Sequence, residues 1–217
     1  MADSLLLDSL PPEQRLALAY APRTSRTLFL GLFALDAKLA GIVRGAREPM
    51  LAQLRLAWWR ERLVPGAAAT MPRGEPILAA LAPLLELDHG LAALVDGWEA
   101  LLLADPFDTA TVSAFAEGRA AAMAGLASHL GHPADQARQA ARQWALADLA
   151  SRIGSPDERE QVMASLAAQQ WRRARLARDL RPLAVLHGLA RRDRGQRPLV
   201  AGPGSLLAAV RLGMTGF

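Results

Sequence analysis

Cysteine is absent from the chain, which excludes disulfides, thiolate metal centres and a cysteine nucleophile, and leaves the redox compartment unconstrained. Histidine is scarce: His89, His129, His132 and His187 are the full set, and no two fall at i, i+4 on one predicted helix, so a zinc site of the HExxH kind is excluded. Aromatic residues make up 5% of the chain and β-branched residues are few. With no Asn-Gly turn and no alternating apolar run, a sheet is disfavoured. A Gly-x-Ser-x-Gly elbow and a glycine-rich phosphate loop following a strand are missing too. The most apolar window, Leu28 to Val43, is interrupted by Asp36 and Lys38 and, at about 16 residues, is too short and too charged to cross a bilayer. Met1 to Asp8 holds Asp3 and Asp8 and lacks the basic-then-apolar order of a secretory signal. The expectation is a cytoplasmic protein. Lysine is nearly absent as well: Lys38 is alone beside 24 arginines, nine of which crowd the C-terminal region at Arg172, Arg173, Arg175, Arg178, Arg181, Arg191, Arg192, Arg194 and Arg197.

What is present points to helices. Hydrophobic residues form 52% of the 217, dominated by alanine and leucine. No interruption of the apolar pattern suggests a second domain, so the expected fold is all-α, a single bundle of eight to ten helices. Proline and acid at Pro11, Pro12 and Glu13 open a short helix to about Tyr20. Thr24 or Ser25 can cap the next, which carries the Leu28 to Val43 run and stops near Gly45; being apolar nearly all round, it should be central. Further helices are predicted over Pro49 to Leu63, Glu75 to Leu85 and Gly90 to Leu103, with a loop from Ala67 to Gly74. A long helix rich in small residues follows over Thr109 to Gly131. Another begins at Pro133 with His132 at its cap and reaches Arg152. Ser155, Pro156 and Glu158 read as a capping-box start for a helix to about Arg178. Leu180 to Arg192 and Ser205 to Leu212 complete the set.

Several pieces fall in a familiar order: Glu48-Pro49-Met50-Leu51, Arg55-Leu56-Ala57-Trp58-Trp59-Arg60, Gly74 to Leu81, Leu94-Val95-Asp96-Gly97, and Phe115-Ala116-Glu117-Gly118-Arg119-Ala120-Ala121. Together they resemble the squalene/phytoene synthase family over roughly residues 12 to 150, and more loosely beyond. The resemblance implies a class I isoprenoid synthase fold. In the family's enzymes two prenyl diphosphates are joined in a central cavity, with magnesium held by two aspartate-rich helices. Departure of a diphosphate anion needs cations, and magnesium needs carboxylate oxygens, so those aspartates carry the chemistry. Here the first motif, following Arg26 and Leu32-Phe33-Ala34-Leu35, reads Ala40-Gly41-Ile42-Val43-Arg44. Every aspartate is missing, and Arg44 places a cation where a carboxylate would accept one. At the second motif the chain offers Asp148 and Arg152, then Asp157 and Glu158 at a predicted helix start. A branch of the family lacks the aspartates and includes a mitochondrial factor for assembly of respiratory complex I. Ala34 to Ala40 and Arg55 to Arg60 are similar to that branch.

The expected function is therefore a binding or assembly protein that has lost prenyl transfer, with an isoprenoid or lipid-like ligand or a protein as partner and no cofactor. Candidate cavity or ligand residues are Arg26, Phe33, Asp36, Arg55, Trp59, Arg60, Asp96, Glu99 and Phe115. Ala40, Gly41 and Arg44 mark the degenerate first motif. Asp36 either keeps a polar or metal contact or forms an ion pair with Arg26, Lys38 or a neighbouring helix. Trp58 and Trp59 point to different sides of their helix, so at most one should line a cavity. Arg55 and Arg60 could hold phosphate or pair with Glu48 or Glu61. The enzyme alternative keeps prenyl transfer with magnesium on displaced ligands, of which Asp96 and Glu99, sharing a face at i, i+3, are the best pair. The C-terminal arginines suit an anionic membrane surface, which would put the protein at the inner membrane's periphery. Nucleic acid is a third reading, ranked last because no recognition motif is present and aromatics are not interleaved with the arginines.

Overall fold

Proline sets most helix starts. It occupies the first position of five helices and the residue before two others, where its missing N–H has no intrahelical partner to lose. In a computed structural model that describes residues 2–66 and 74–216, those residues form eleven α-helices and two short 3₁₀ turns and no strand. They are α1 (Ala2–Ser9), α2 (Pro12–Leu18), α3 (Arg23–Arg44), α4 (Pro49–Arg62), α5 (Pro76–Leu81), α6 (Leu91–Leu103), α7 (Thr109–His129), α8 (Ala134–Arg152), α9 (Pro156–Ala167), α10 (Arg181–Asp193) and α11 (Pro203–Thr215). The number is one above the expected range because α1 forms where the sequence reading assigned no helix. Among the described residues no helix is long and apolar enough to cross a membrane. The predicted loop over Ala67 to Gly74 lies outside the described residues, Gly74 excepted.

The all-round apolar run puts α3 at the centre, where every residue from Leu28 to Asp36 is buried. It packs against α1, α4, α5 and α6. A second layer comes from α7, which lies between α6 and α8, and α10 closes the far side against α8, α2 and α11. The small residues of α7 serve contact rather than an opening. A methyl group at Gly118 would collide with the carbonyl oxygen of Ala93, and one at Gly125 with that of His89, so α6 and α7 meet backbone to backbone.

Three local expectations are corrected. Thr24 and Ser25 lie inside the first turn of α3, which starts after Pro22 without a side-chain cap; their hydroxyls instead donate to the carboxylate (2.6 Å) and carbonyl (2.7 Å) of Asp179. His132 does not cap α8 either, since its Nε2 sits 3.2 Å from the same carboxylate. All three side chains are drawn to Asp179, which precedes α10. The helix begun by Ser155 ends at Ala167, not Arg178. From Gln170 to Ala177 the chain is irregular, because tertiary contacts displace helical ones: Gln143 Nε2 donates to the Gln170 carbonyl (2.9 Å) and Trp171 stacks on His187. Continued as a helix, the segment would also stack Arg172, Arg173, Arg175 and Arg178 on adjacent turns.

Gly118→Ala should therefore lower unfolding free energy by about 1–3 kcal/mol through overpacking. Gly41→Ala, with nothing within 4 Å of the new methyl, should raise it by about 0.5–1 kcal/mol through helix propensity. Urea denaturation of the two variants checks both signs.

Candidate functional site

At the centre of the bundle α3 is joined to α7 and α8 by side chains rather than by close backbone approach, while α7 and α8 pack directly on each other. Phe29, Phe33 and Trp144 fill part of that space, Phe33 lying 5.5 Å from Phe29 and 6.2 Å from Trp144 between ring centroids. The rest is taken by charge. The guanidinium of Arg119 on α7 donates twice to Asp36 on α3, through Nε (3.0 Å) and Nη2 (2.8 Å), and once through Nη1 to Asp148 on α8 (2.8 Å). Trp98 Nε1 on α6 donates to Asp36 at 2.8 Å, and Gln14 Nε2 on α2 at 3.1 Å. On its other side Asp148 accepts from Arg152 Nε at 2.8 Å, and Arg152 reaches across to Glu13 on α2. Five helices thus share one network. The rings of Phe115, Trp144 and Trp98 surround Arg119, with centroids 4.8, 4.8 and 5.3 Å from its central carbon.

Asp36, Arg119 and Asp148 are each 5% exposed or less. Burial opposes charge on Arg119, yet Asp36 and Asp148 outweigh it and hold the proton more firmly than usual. Burial likewise opposes charge on Asp148, but Arg119 and Arg152 together keep its carboxyl below the ordinary range. Glu13 behaves in the opposite way: burial, and then the charge of Asp148, push its carboxyl up against the pull of Arg152. Three carboxylates face two guanidiniums, and of Glu13 and Asp148 it is Glu13 that more readily takes a proton.

Asp36 follows the ion-pair reading, with its partner on the neighbouring helix α7 rather than Arg26 or Lys38. Arg26 donates from Nη1 to the Leu18 carbonyl (2.7 Å), tying α3 to the end of α2 and standing apart from the centre. Phe115 packs edge-on against Trp98 at 4.9 Å. Of the degenerate motif only Ala40 faces inward; Gly41 and Arg44 are exposed. The inward acid is Asp36, one turn earlier on the same face as Ala40. Arg60 pairs with neither Glu48 nor Glu61; it bridges Asp96 (2.6 Å from Nε) and Glu99 on α6. The best displaced carboxylate pair is therefore committed to a cation of the protein.

A groove of about 550 Å³ between α3 and α4 is lined by Lys38, Ile42, Leu51, Leu54, Arg55, Trp58, Trp59 and Glu75. Both tryptophans reach it, at 5.1 Å and nearly perpendicular, although at most one was expected to. Trp59 is buried beneath the groove, and Trp58 lies half-buried under Arg62. Arg55 lines the groove beside the exposed Leu51 and Leu54.

Magnesium does not fit the residues present. Asp36 and Asp148 already receive guanidinium hydrogen bonds, Asp96 and Glu99 are held by Arg60, and the cavity at the centre, lined by Asp36, Arg119 and Trp144, measures about 10 Å³, the space of a single water. No group of three or more acidic or histidine side chains among the described residues could hold a metal ion.

Sequence reasoning passed over Arg119 and gave Asp148 and Arg152 no role in the centre. Two signals were present. Asp148 and Arg152 sit at i, i+4 on a helix otherwise apolar on that side, and Arg119 is the one charge on the face of α7 shared by Phe115, Ala122 and Leu126. Fold and site together define an all-α bundle closed around a buried ion-pair network. No family model matches the chain, and no curated protein or solved structure matches it either.

Arg119→Ala should destabilise the protein by about 3–5 kcal/mol, because it leaves two buried carboxylates uncompensated. Replacing Asp36, Arg119 and Asp148 together with Leu, Met and Leu should cost less than the single change, and chemical denaturation of both variants measures the difference. For pH, the sign follows each group. Burial lowers His187 from 6.5 to about 4, so its contribution to stability is complete above pH 6.5 and is lost on acidification toward pH 4. Asp148, with a depressed pKa, loses its contribution only at lower pH still, while Glu13, with a raised one, gains stability as it protonates. His187→Gln should flatten the limb between pH 6.5 and 4, and Glu13→Gln should be far milder at neutral pH than Asp148→Asn.

Proposed function

We propose that the chain is a non-catalytic relative of the squalene/phytoene synthases that works as a binding or assembly factor, in the manner of the family's aspartate-lacking branch. One observation carries the reading. At the centre, where a cavity for two prenyl diphosphates would have to open, Arg119 sits between Asp36 and Asp148 and the remaining space is about 10 Å³. A fixed guanidinium supplies the positive charge that divalent ions would otherwise bring, and it does so with no room for a substrate. Opening the site would separate a desolvated cation from two carboxylates, a step that costs several kcal/mol per ion.

A surface suited to binding is the groove between α3 and α4. Its apolar lining and the exposed Met50, Leu51 and Leu54 around it suit an isoprenoid or lipid-like chain or an apolar segment of a protein partner. Lys38 and Arg55 at its edge would favour an acidic group on the same partner.

Incubation with farnesyl or geranylgeranyl diphosphate and magnesium should release no diphosphate above the rate without protein, read by a phosphate-coupled assay. Clear magnesium-dependent turnover abolished by Asp96→Asn would replace this reading with the enzyme one.

A further inference from the structure

A cavity of about 780 Å³ lies away from both the central network and the α3–α4 groove. It opens where α8 and α10 begin and α11 ends. His132, Gln136, Arg173, Arg175, Arg181 and Thr215 give it its polar lining. A smaller cavity of about 230 Å³ adjoins it, sharing Gln136, Arg173 and Arg175 and adding Arg172.

We propose that this cavity is a binding site for a small phosphate-bearing anion, held by Arg173, Arg175 and Arg181. Four observations favour that over a merely solvated basic face. First, the arginines have no acid of their own: among the described residues, none of the three has a salt bridge or a side-chain hydrogen bond. The acid in the neighbouring sequence, Asp179, is engaged by Thr24 Oγ1 at 2.6 Å and by His132, which pull its carboxylate toward α3 and α8. Second, the surroundings add positive charge. Burial, followed by the charges of Arg173, Arg194 and Arg211, holds Arg191 below its ordinary range, which places Arg173 within electrostatic reach of Arg191.

Third, the arginines are positioned rather than trailing. Arg172, Arg173 and Arg175 lie on the irregular stretch between α9 and α10, which is pinned at Trp171 by stacking on His187 (6.1 Å, 13° between planes) and at Gln170 by Gln143. A pinned segment loses less rotational freedom on capturing a ligand than a free tail does. Fourth, the N-terminal ends of α8 and α10 border the cavity through Pro133, Leu180 and Arg181, and neither end is capped by a side chain. Their first-turn N–H groups favour the same sign of charge as the arginines do.

The chemistry selects phosphate. Three guanidinium forks match the paired oxygens of a phosphoryl group, and an anion with several such oxygens can engage more than one fork at once. A nucleic acid strand is disfavoured, since Trp171, the aromatic on this segment, already stacks inward on His187 instead of offering a face to a base. Free phosphate compounds and the monoester headgroup of a lipid share the recognised group.

Calorimetric titration of the full chain with inorganic tripolyphosphate, at about 0.1 M salt to screen diffuse attraction, tests the site. Wild type should bind, and Arg181→Gln and Arg175→Gln should each weaken binding about tenfold or more, the loss expected of one charge-assisted contact. Arg197→Gln removes the same charge from the same basic region outside the cavity and should change affinity less than about twofold. Absence of heat with tripolyphosphate overturns the proposal, as does equal weakening by Arg197→Gln, which would mark diffuse attraction. Arg175 is exposed on the irregular segment, so its variant reads the site even if Arg181→Gln disturbs the start of α10. Sedimentation with vesicles then separates the sources: capture by phosphatidate but not phosphatidylglycerol vesicles, lost in Arg175→Gln, assigns a lipid headgroup, and no capture by either assigns a free phosphate compound. Both outcomes leave the reading of the central network untouched, because none of its residues lines this cavity.

Discussion

The Arg119 guanidinium between Asp36 and Asp148 is the constraint on which the rest of the bundle depends. At this point α3 meets the closely packed pair α7 and α8 through side chains, and two more helices, α2 and α6, send Gln14 and Trp98 to Asp36. A pair of oppositely charged groups removed from water rarely yields much net stability, because desolvation consumes most of the Coulombic gain. What it imposes is position. Any slip of α3 relative to α7 or α8 separates a buried charge from its partner, so the network fixes register where apolar contacts between Phe29, Phe33 and Trp144 would tolerate several packings.

The fold class was legible because alanine, leucine and punctuating proline act locally. The central place of α3 followed from its unbroken apolar circumference, and the observed ends of α4, α6 and α8 lie within a residue of the predicted ones. Legibility ended where long-range partners decide. Thr24, Ser25 and His132 all look like caps in sequence, and all three are taken by Asp179, which is 155, 154 and 47 positions away from them respectively. The helix expected to reach Arg178 stops eleven residues short, at Ala167, because Trp171 finds a stacking partner on α10.

The candidate site was half visible. Asp36 stood out as the one acid in an apolar helix, and its pairing with a neighbouring element followed from the cost of burying charge. Which element could not be read from spacing, since Arg119 lies 83 residues on. Arg119 itself was given no role, because arginine is usually exposed and only its neighbours on α7, nearly all small or apolar, point to burial. The pairing of Arg60 with α6 and the meeting of both tryptophans on one groove are likewise products of helix packing, which periodicity within a single helix does not encode.

Lys38 stands at the edge of the α3–α4 groove and is the sole lysine of the chain. The other strongly basic side chains are guanidiniums, which are inert to ordinary acylation. Amine-directed reagents consequently meet a single side chain, exposed beside Trp58 and Trp59, with only the α-amino group as a competitor. A fluorophore or crosslinker attached there would report on one defined face of the molecule while leaving the positive charge of the arginine-rich end intact.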